Sequence, residues 1–208
     1  MDQLTQQIEK EARKHFDKKG GHDFHHTQRV YRYALQIART EKKVDLQIIR
    51  AATLLHDIAR RKQEQKKCKD HAEEGAKMAP QILKKVNFPK NKIQAVVHCI
   101  SVHRKSKGKK PTTIEAKILQ DADKIDILGA MGILRTAVEH ADDMIIHSDG
   151  SRVLTSFYDY NTDSIFEFLK CMLLLDLKDF YTKEARKIAK SYLNFLKIFI
   201  KQFEKEWR

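Results

Sequence analysis

The chain has 208 residues, 41 of them Lys or Arg against 28 Asp or Glu, so its formal charge is +13 with 41% hydrophobic and 33% charged residues. That length allows one domain with a substantial core, and only seven Gly and three Pro leave little material for the tight turns of an all-β fold. A mostly helical, all-α protein is expected. Its positive field would attract phosphorylated substrates, nucleic acid or an acidic membrane surface, although a solvated Lys-rich surface alone would give the same charge.

Leu4 to Phe16 reads as a first helix, ended by Gly20 and Gly21, which turn the chain towards His22 and Asp23. Asp23 suits the cap of a helix over Phe24 to Arg39, in which Val30, Tyr33, Ala34, Ile37 and Ala38 recur at helical spacing. His26 stands one turn before Val30, at the start of that apolar face. Asp45 suits the cap of a third helix, whose Ile48, Ile49, Ala52, Leu55 and Ala59 form a wide apolar face and whose last turn carries His56 and Asp57. An imidazole and a carboxylate at the end of an apolar run are costly to bury without partners. A divalent metal would meet both, and so would a simple buried hydrogen bond.

Arg60 to Lys69 is polar and cationic and reads as a loop. Asp70 with Glu73 forms a capping-box pattern that opens a helix carrying His71, Met78, Ile82 and Leu83, in which Pro80 predicts a kink or an early end. After a turn at Asn87 to Lys90, the apolar residues Ile93, Val96, Val97, Ile100 and Val102 predict a buried helix with His98 and His103. Arg104 to Pro111 (RKSKGKKP) is a cationic loop that is solvated or, beside a phosphate site, holds a polyanion. Ile114 to Leu134 reads as one or two helices, with Asp121, Asp123 and Asp126 set among Ile118, Leu119, Ile125, Ile127 and Leu128. On a helix Asp123 and Asp126 lie about 60° apart, on one face, and a cation would relieve the cost of burying their charge. Asp142 to Asp163 reads as a long polar loop or lid. Ser164 opens an apolar helix through Cys171 to Leu175, and Thr182 caps a last helix reaching almost to Trp207. Phe195, Ile198, Phe199 and the Leu run suit core or subunit contact, which leaves a homodimer open. Without an internal repeat or a low-complexity linker, a single domain is expected.

The order His26, then His56-Asp57, then Asp123 resembles that of the HD superfamily of metal-dependent phosphohydrolases. The matching stretches are HDFHHTQRV (His22 to Val30), LLHDIAR (Leu54 to Arg60), HAEEGAKMAPQIL (His71 to Leu83), VVHCISVHR (Val96 to Arg104) and LQDADKIDILGAMGILR (Leu119 to Arg135). They span about residues 20 to 136, leaving about 137 to 208 as a helical extension. The resemblance implies a multi-helix HD bundle with extra C-terminal helices. It also implies metal ligation by His26, His56, Asp57 and Asp123, with Asp123 preferred to Asp121. Manganese is the first expectation among divalent metals, ahead of Mg, Co, Ni, Fe or Zn. Such a metal retains open positions for water and a phosphate oxygen.

By the same resemblance Lys124 is a phosphate contact. Arg29, one turn after His26, is either a second phosphate contact or a salt-bridge partner of Asp23 or Asp57. His71 and His103 match positions that carry ligands in relatives with a second metal. The pair of consecutive histidines found in such relatives is His103-Arg104 here, which favours one metal and leaves His71 and His103 as phosphate contacts, proton donors or structural hydrogen bonders. His98 is expected to be structural. Some nucleotidase relatives place a Glu where this chain has Arg60, so Glu73 or Glu74 would have to replace it as general base.

Hydrolysis of a small phosphorylated substrate, above all a nucleotide, is the leading expectation: a pyrophosphohydrolase, phosphatase or phosphodiesterase. A nucleic-acid binding or processing protein is the alternative the charge suggests, although no aromatic-interleaved basic motif supports it. A metal-dependent oxygenase is another, weakened by the incomplete second histidine pair. Cys68, Cys99 and Cys171 are odd in number and widely spaced, no apolar run reaches the roughly 18 residues of a membrane span, and the charged N-terminus has no signal-peptide core. A cytoplasmic location is expected.

Overall fold

The computed structural model describes residues 2–16, 23–104, 109–139 and 164–207. The expected Gly20-Gly21 turn, residues 105–108 of the basic loop and the expected lid at 142–163 lie outside the described residues. Ten α-helices and no β-strand form among those described. Chain contacts divide the protein into two units, Met1–Asp123 and Lys124–Arg208.

In the first unit α1 (Gln3–Arg13), α2 (Phe24–Ala38) and α3 (Leu46–Leu55) begin at Asp2, Asp23 and Asp45, whose carboxylates accept from otherwise unpartnered amides of the first turn. Seven of the ten residues of α3 are buried, including the consecutive run Ala51 to Leu55. A run buried on every side has to be covered on every side, and α1, α2 and α6 (Ile93–Ser101) pack against α3. Thr53, polar within that run, satisfies itself by donating to the Ile49 carbonyl at 2.7 Å. Because α3 is interior, the residues following it, His56 and Asp57, are delivered to the interior.

Arg60 to Lys69 is not wholly a loop: Arg60–Glu64 winds into a short helix, α4, with an Arg60–Glu64 ion pair at 3.3 Å across one turn. Chain reversal comes afterwards, at Lys66 with φ of 58°. Asp70 then caps α5 (His71–Lys85), accepting from the amides of Ala72 at 2.8 Å and Glu73 at 3.4 Å. The reciprocal half of the capping box is absent, because the Glu73 carboxylate accepts from Lys109 instead, at 2.7 Å. Nor does Pro80 end the helix. The buried stripe Ala72, Ala76, Ala79 and Leu83 continues across it, and packing of α5 along α6 offsets the missing backbone hydrogen bond.

A 3₁₀ turn (Lys90–Lys92) leads into α6, and α7 (Ile114–Asp126) carries Asp123. His103 lies two residues beyond α6, outside the expected helix. In the second unit α8 (Gly129–Glu139), α9 (Ile165–Met172) and α10 (Lys183–Trp207) pack against one another. Ser164 and Thr182 cap α9 and α10 as their positions predict. The separation of α7 from α8 occurs at Gly129, whose φ of +67° suits glycine. No helix among the described residues is long and apolar enough to cross a membrane.

Candidate metal centre

His26 comes from the first turn of α2, His56 and Asp57 from the end of α3, His71 from the start of α5, His103 from beyond α6 and Asp123 from α7. His26, His56, Asp57, His71 and His103 are all buried, with His56 fully so and Asp57 only 3% exposed. Six side chains that are up to about a hundred residues apart therefore converge in the first unit.

They form two groups of potential ligands, His26 with His56 and Asp123, and Asp57 with His71 and His103. In the first group the His26 and His56 Nε2 atoms are 3.3 Å apart, and Asp123 Oδ1 is 3.4 Å from one and 3.9 Å from the other. Asp57 faces both groups. Its Oδ2 lies 3.7 and 3.8 Å from His26 and His56, while its Oδ1 lies 3.0 and 3.5 Å from the Nε2 atoms of His71 and His103.

Hydrogen bonding fixes the state of His56. Its Nδ1 is 2.8 Å from the Thr53 carbonyl, which can only accept, so Nδ1 carries the proton and the neutral ring presents an Nε2 lone pair. That lone pair meets carboxylate oxygens of Asp57 and Asp123, which also only accept when ionised. Convergent acceptors at these separations suit a divalent cation, and a ligand set of imidazole and carboxylate suits a first-row metal. His103 is anchored similarly, its Nδ1 donating to the Ile100 carbonyl at 2.7 Å.

Burial pushes the His56 imidazole down to about 4, despite the attraction of Asp57 and Asp123 for a proton. His71 moves down for the same reason. In His103 burial also opposes the charge, but the hydrogen bond and charge of Asp57 more than offset it and the net shift is upward. Burial would raise Asp123, yet the His26 hydrogen bond and the neighbouring histidines hold it below the ordinary carboxylate range. The site therefore pairs anionic Asp123 with neutral His56 and a more basic His103.

Arg29 is half-buried on α2, one turn from His26. Glu74 accepts from Lys62 at 2.6 Å, a bond that lowers its proton affinity. In the second unit the Lys124 ammonium donates to the Asp179 carbonyl and lies over the rings of Phe180 and Tyr181, 4.6 and 5.4 Å from their centres. Asp126 has its cation in Arg135, which donates to it at 2.8 Å, so the predicted need for a positive partner is met there by a guanidinium. His98 has a structural partner in Thr112, with Oγ1 2.9 Å from Nε2. The sequence pattern did not single out Gln63, whose Oε1 accepts from His71 twice. Nor did it show that Asp57 faces both groups; only the positions of His71 and His103 hinted at the second.

The HD domain family model matches residues 23–128, a span that begins at the cap of α2 and contains all six side chains. The chain belongs to the HD domain family. YpgQ of Bacillus subtilis is 31% identical over 195 residues, 91% of this chain and 86% of YpgQ. A crystal structure of a predicted HD-superfamily hydrolase from an uncultured Thermotogales bacterium is 30% identical with a TM-score of 0.66, covering 99% of this chain and 92% of that one. The crystal structure of YpgQ in complex with ADP has a TM-score of 0.67 at 24% identity over the structural alignment, covering 97% of each chain, and it speaks for the shared fold. With its metal-ligand groups in place, this HD protein is a metal-dependent phosphohydrolase.

Proposed function

We propose that the chain hydrolyses a phosphoanhydride or phosphoester bond of a nucleotide, with His26, His56, Asp57 and Asp123 holding a divalent ion, manganese foremost. The observation that carries this reading is the convergence on the buried His56 lone pair of His26, 3.3 Å away, and of two carboxylates, buried Asp57 and partly exposed Asp123, each of which lies 3.4 to 3.9 Å from the two imidazole nitrogens. Such an ion, when bound, lowers the pKa of its water from 15.7 to about 7 and polarises a phosphoryl oxygen. The Thr53 carbonyl holds the His56 ring in its ligating tautomer, and burial keeps that ring neutral. His103, made more basic by Asp57, is suited to deliver a proton to the leaving oxygen. Lys124, next in sequence to Asp123, and Arg29, one turn from His26, are proposed to contact the phosphate. No role is assigned to Glu74, whose carboxylate is engaged by Lys62.

The nucleotide part of the proposal draws on two supports, the ADP held by YpgQ in its crystal structure and the +13 charge of this chain. All 208 residues are taken as one enzyme, and the free thiols of Cys68, Cys99 and Cys171 suit a cytoplasmic setting. Phosphorus NMR of ribo- and deoxyribonucleotides incubated with manganese tests the proposal. New pyrophosphate, orthophosphate or monophosphate signals that are lost in Asp57→Ala are expected and would identify the bond cut. An unchanged panel, with metal demonstrably bound, would contradict nucleotide hydrolysis.

A second reading has its own observation. Asp57, His71 and His103 also offer ligand atoms within 4.8 Å of one another, and these three residues would hold a second cation. Manganese titration followed by electron spin resonance would count one ion per chain on the first reading and two on the second.

A further inference from the structure

His71 is the one histidine of the second group whose Nδ1 is anchored by a side chain, since the corresponding partner of His103 is a main-chain carbonyl. Two atoms of His71 meet the same Gln63 atom: the backbone nitrogen at 2.8 Å and Nδ1 at 2.7 Å. A backbone N–H can only donate, so the Gln63 atom facing it is the carbonyl oxygen and not the amide nitrogen. That oxygen can only accept, which obliges Nδ1 to be the protonated nitrogen of a neutral His71 ring. Nε2 is then left with its lone pair, 3.2 Å from His103 Nε2 and on the side of Asp57.

The competing tautomer has a ready partner. With the proton on Nε2, His71 would donate to Asp57 Oδ1 at 3.0 Å, which would occupy both the imidazole lone pair and a carboxylate oxygen facing the site. We infer that Gln63 is a positioning residue that excludes this tautomer and keeps His71 Nε2 available to a cation, a substrate hydroxyl or His103. Its place on α4 explains why a short helix interrupts an otherwise polar connection: α4 is held to α5 both through Gln63 and through the Lys62–Glu74 ion pair at 2.6 Å. The inference deepens the proposed function and rests on its second reading, in which His71 is one of the groups offered to a cation.

Two-bond proton–nitrogen correlation spectra of histidine-labelled, chelator-treated protein at pH 8 test it, because protonated and bare ring nitrogens give distinct shifts. The wild type is expected to show His71 with Nδ1 protonated, and Gln63→Leu to move the proton to Nε2. Gln63→Glu, which retains an oxygen acceptor, is expected to restore the wild-type pattern. Hydrolysis should fall by roughly ten- to hundred-fold in Gln63→Leu and recover in Gln63→Glu. Retention of the Nδ1 proton in Gln63→Leu, or its absence from the wild type, would overturn the inference. His71→Ala separates the two ideas: undiminished hydrolysis there would remove His71 from the mechanism, whereas the tautomer result bears on Gln63 alone.

Discussion

His56 has no proton to spare for the site, because its Nδ1 proton is committed to the Thr53 carbonyl and burial drives the imidazolium form down to about 4. This has a consequence for stability. Below the ordinary histidine value of 6.5 the unfolded chain takes up a proton that the folded chain refuses, so the contribution of His56 is full above pH 6.5 and is lost as pH falls towards 4. The shift corresponds to about 3 kcal/mol across that window. His103, whose shift is upward, acts in the opposite sense: its contribution is full below 6.5 and fades as pH rises through its folded value. Denaturant midpoints of chelator-treated protein between pH 7 and 4.5 should therefore fall less steeply for His56→Gln than for the wild type. Equal slopes would mean that His56 is not held neutral by the fold.

Elements matter to the site through close approach of their backbones, and two glycines separate that effect from helix propensity. A Cβ on Gly132, in α8, would lie 2.0 Å from the Ile127 carbonyl oxygen, so Gly132→Ala has to displace backbone and should cost at least about 2 kcal/mol. Gly75, inside α5, is different. A Cβ there would make ordinary contacts of 3.5 to 3.7 Å with Ile100, the His56 carbonyl and Ile58. Gly75→Ala should be neutral or stabilise the protein by up to about 1 kcal/mol through helix propensity. Thermal melts of the two variants check both signs. The caps of these elements could be read in the sequence, since Asp23, Asp45, Asp70, Ser164 and Thr182 act through amides two or three residues away. What could not be read was α4, a five-residue helix too short to show an apolar period, and the path through Pro80, where packing against α6 overrides a local helix breaker.

For the molecule as a whole, the helical class and the order of the ligands are written in local patterns: few turn residues, apolar spacing near 3.6, and a His-Asp pair closing a buried run. Pairings across long stretches of chain are not. Asp126 looked like a third candidate beside Asp121 and Asp123 until Arg135 was placed against it, and Gln63 had no feature to distinguish it before α4 and α5 were brought together. On the proposed function, hydrolysis depends on a divalent ion held by the paired histidines and aspartates. The most direct measurement is manganese affinity and nucleotide turnover on the same samples of wild type, His56→Ala and Asp57→Ala, with folding checked by circular dichroism. Both variants should stay helical and lose metal and turnover together. Full turnover in Asp57→Ala, or in wild-type protein stripped of metal, would contradict it.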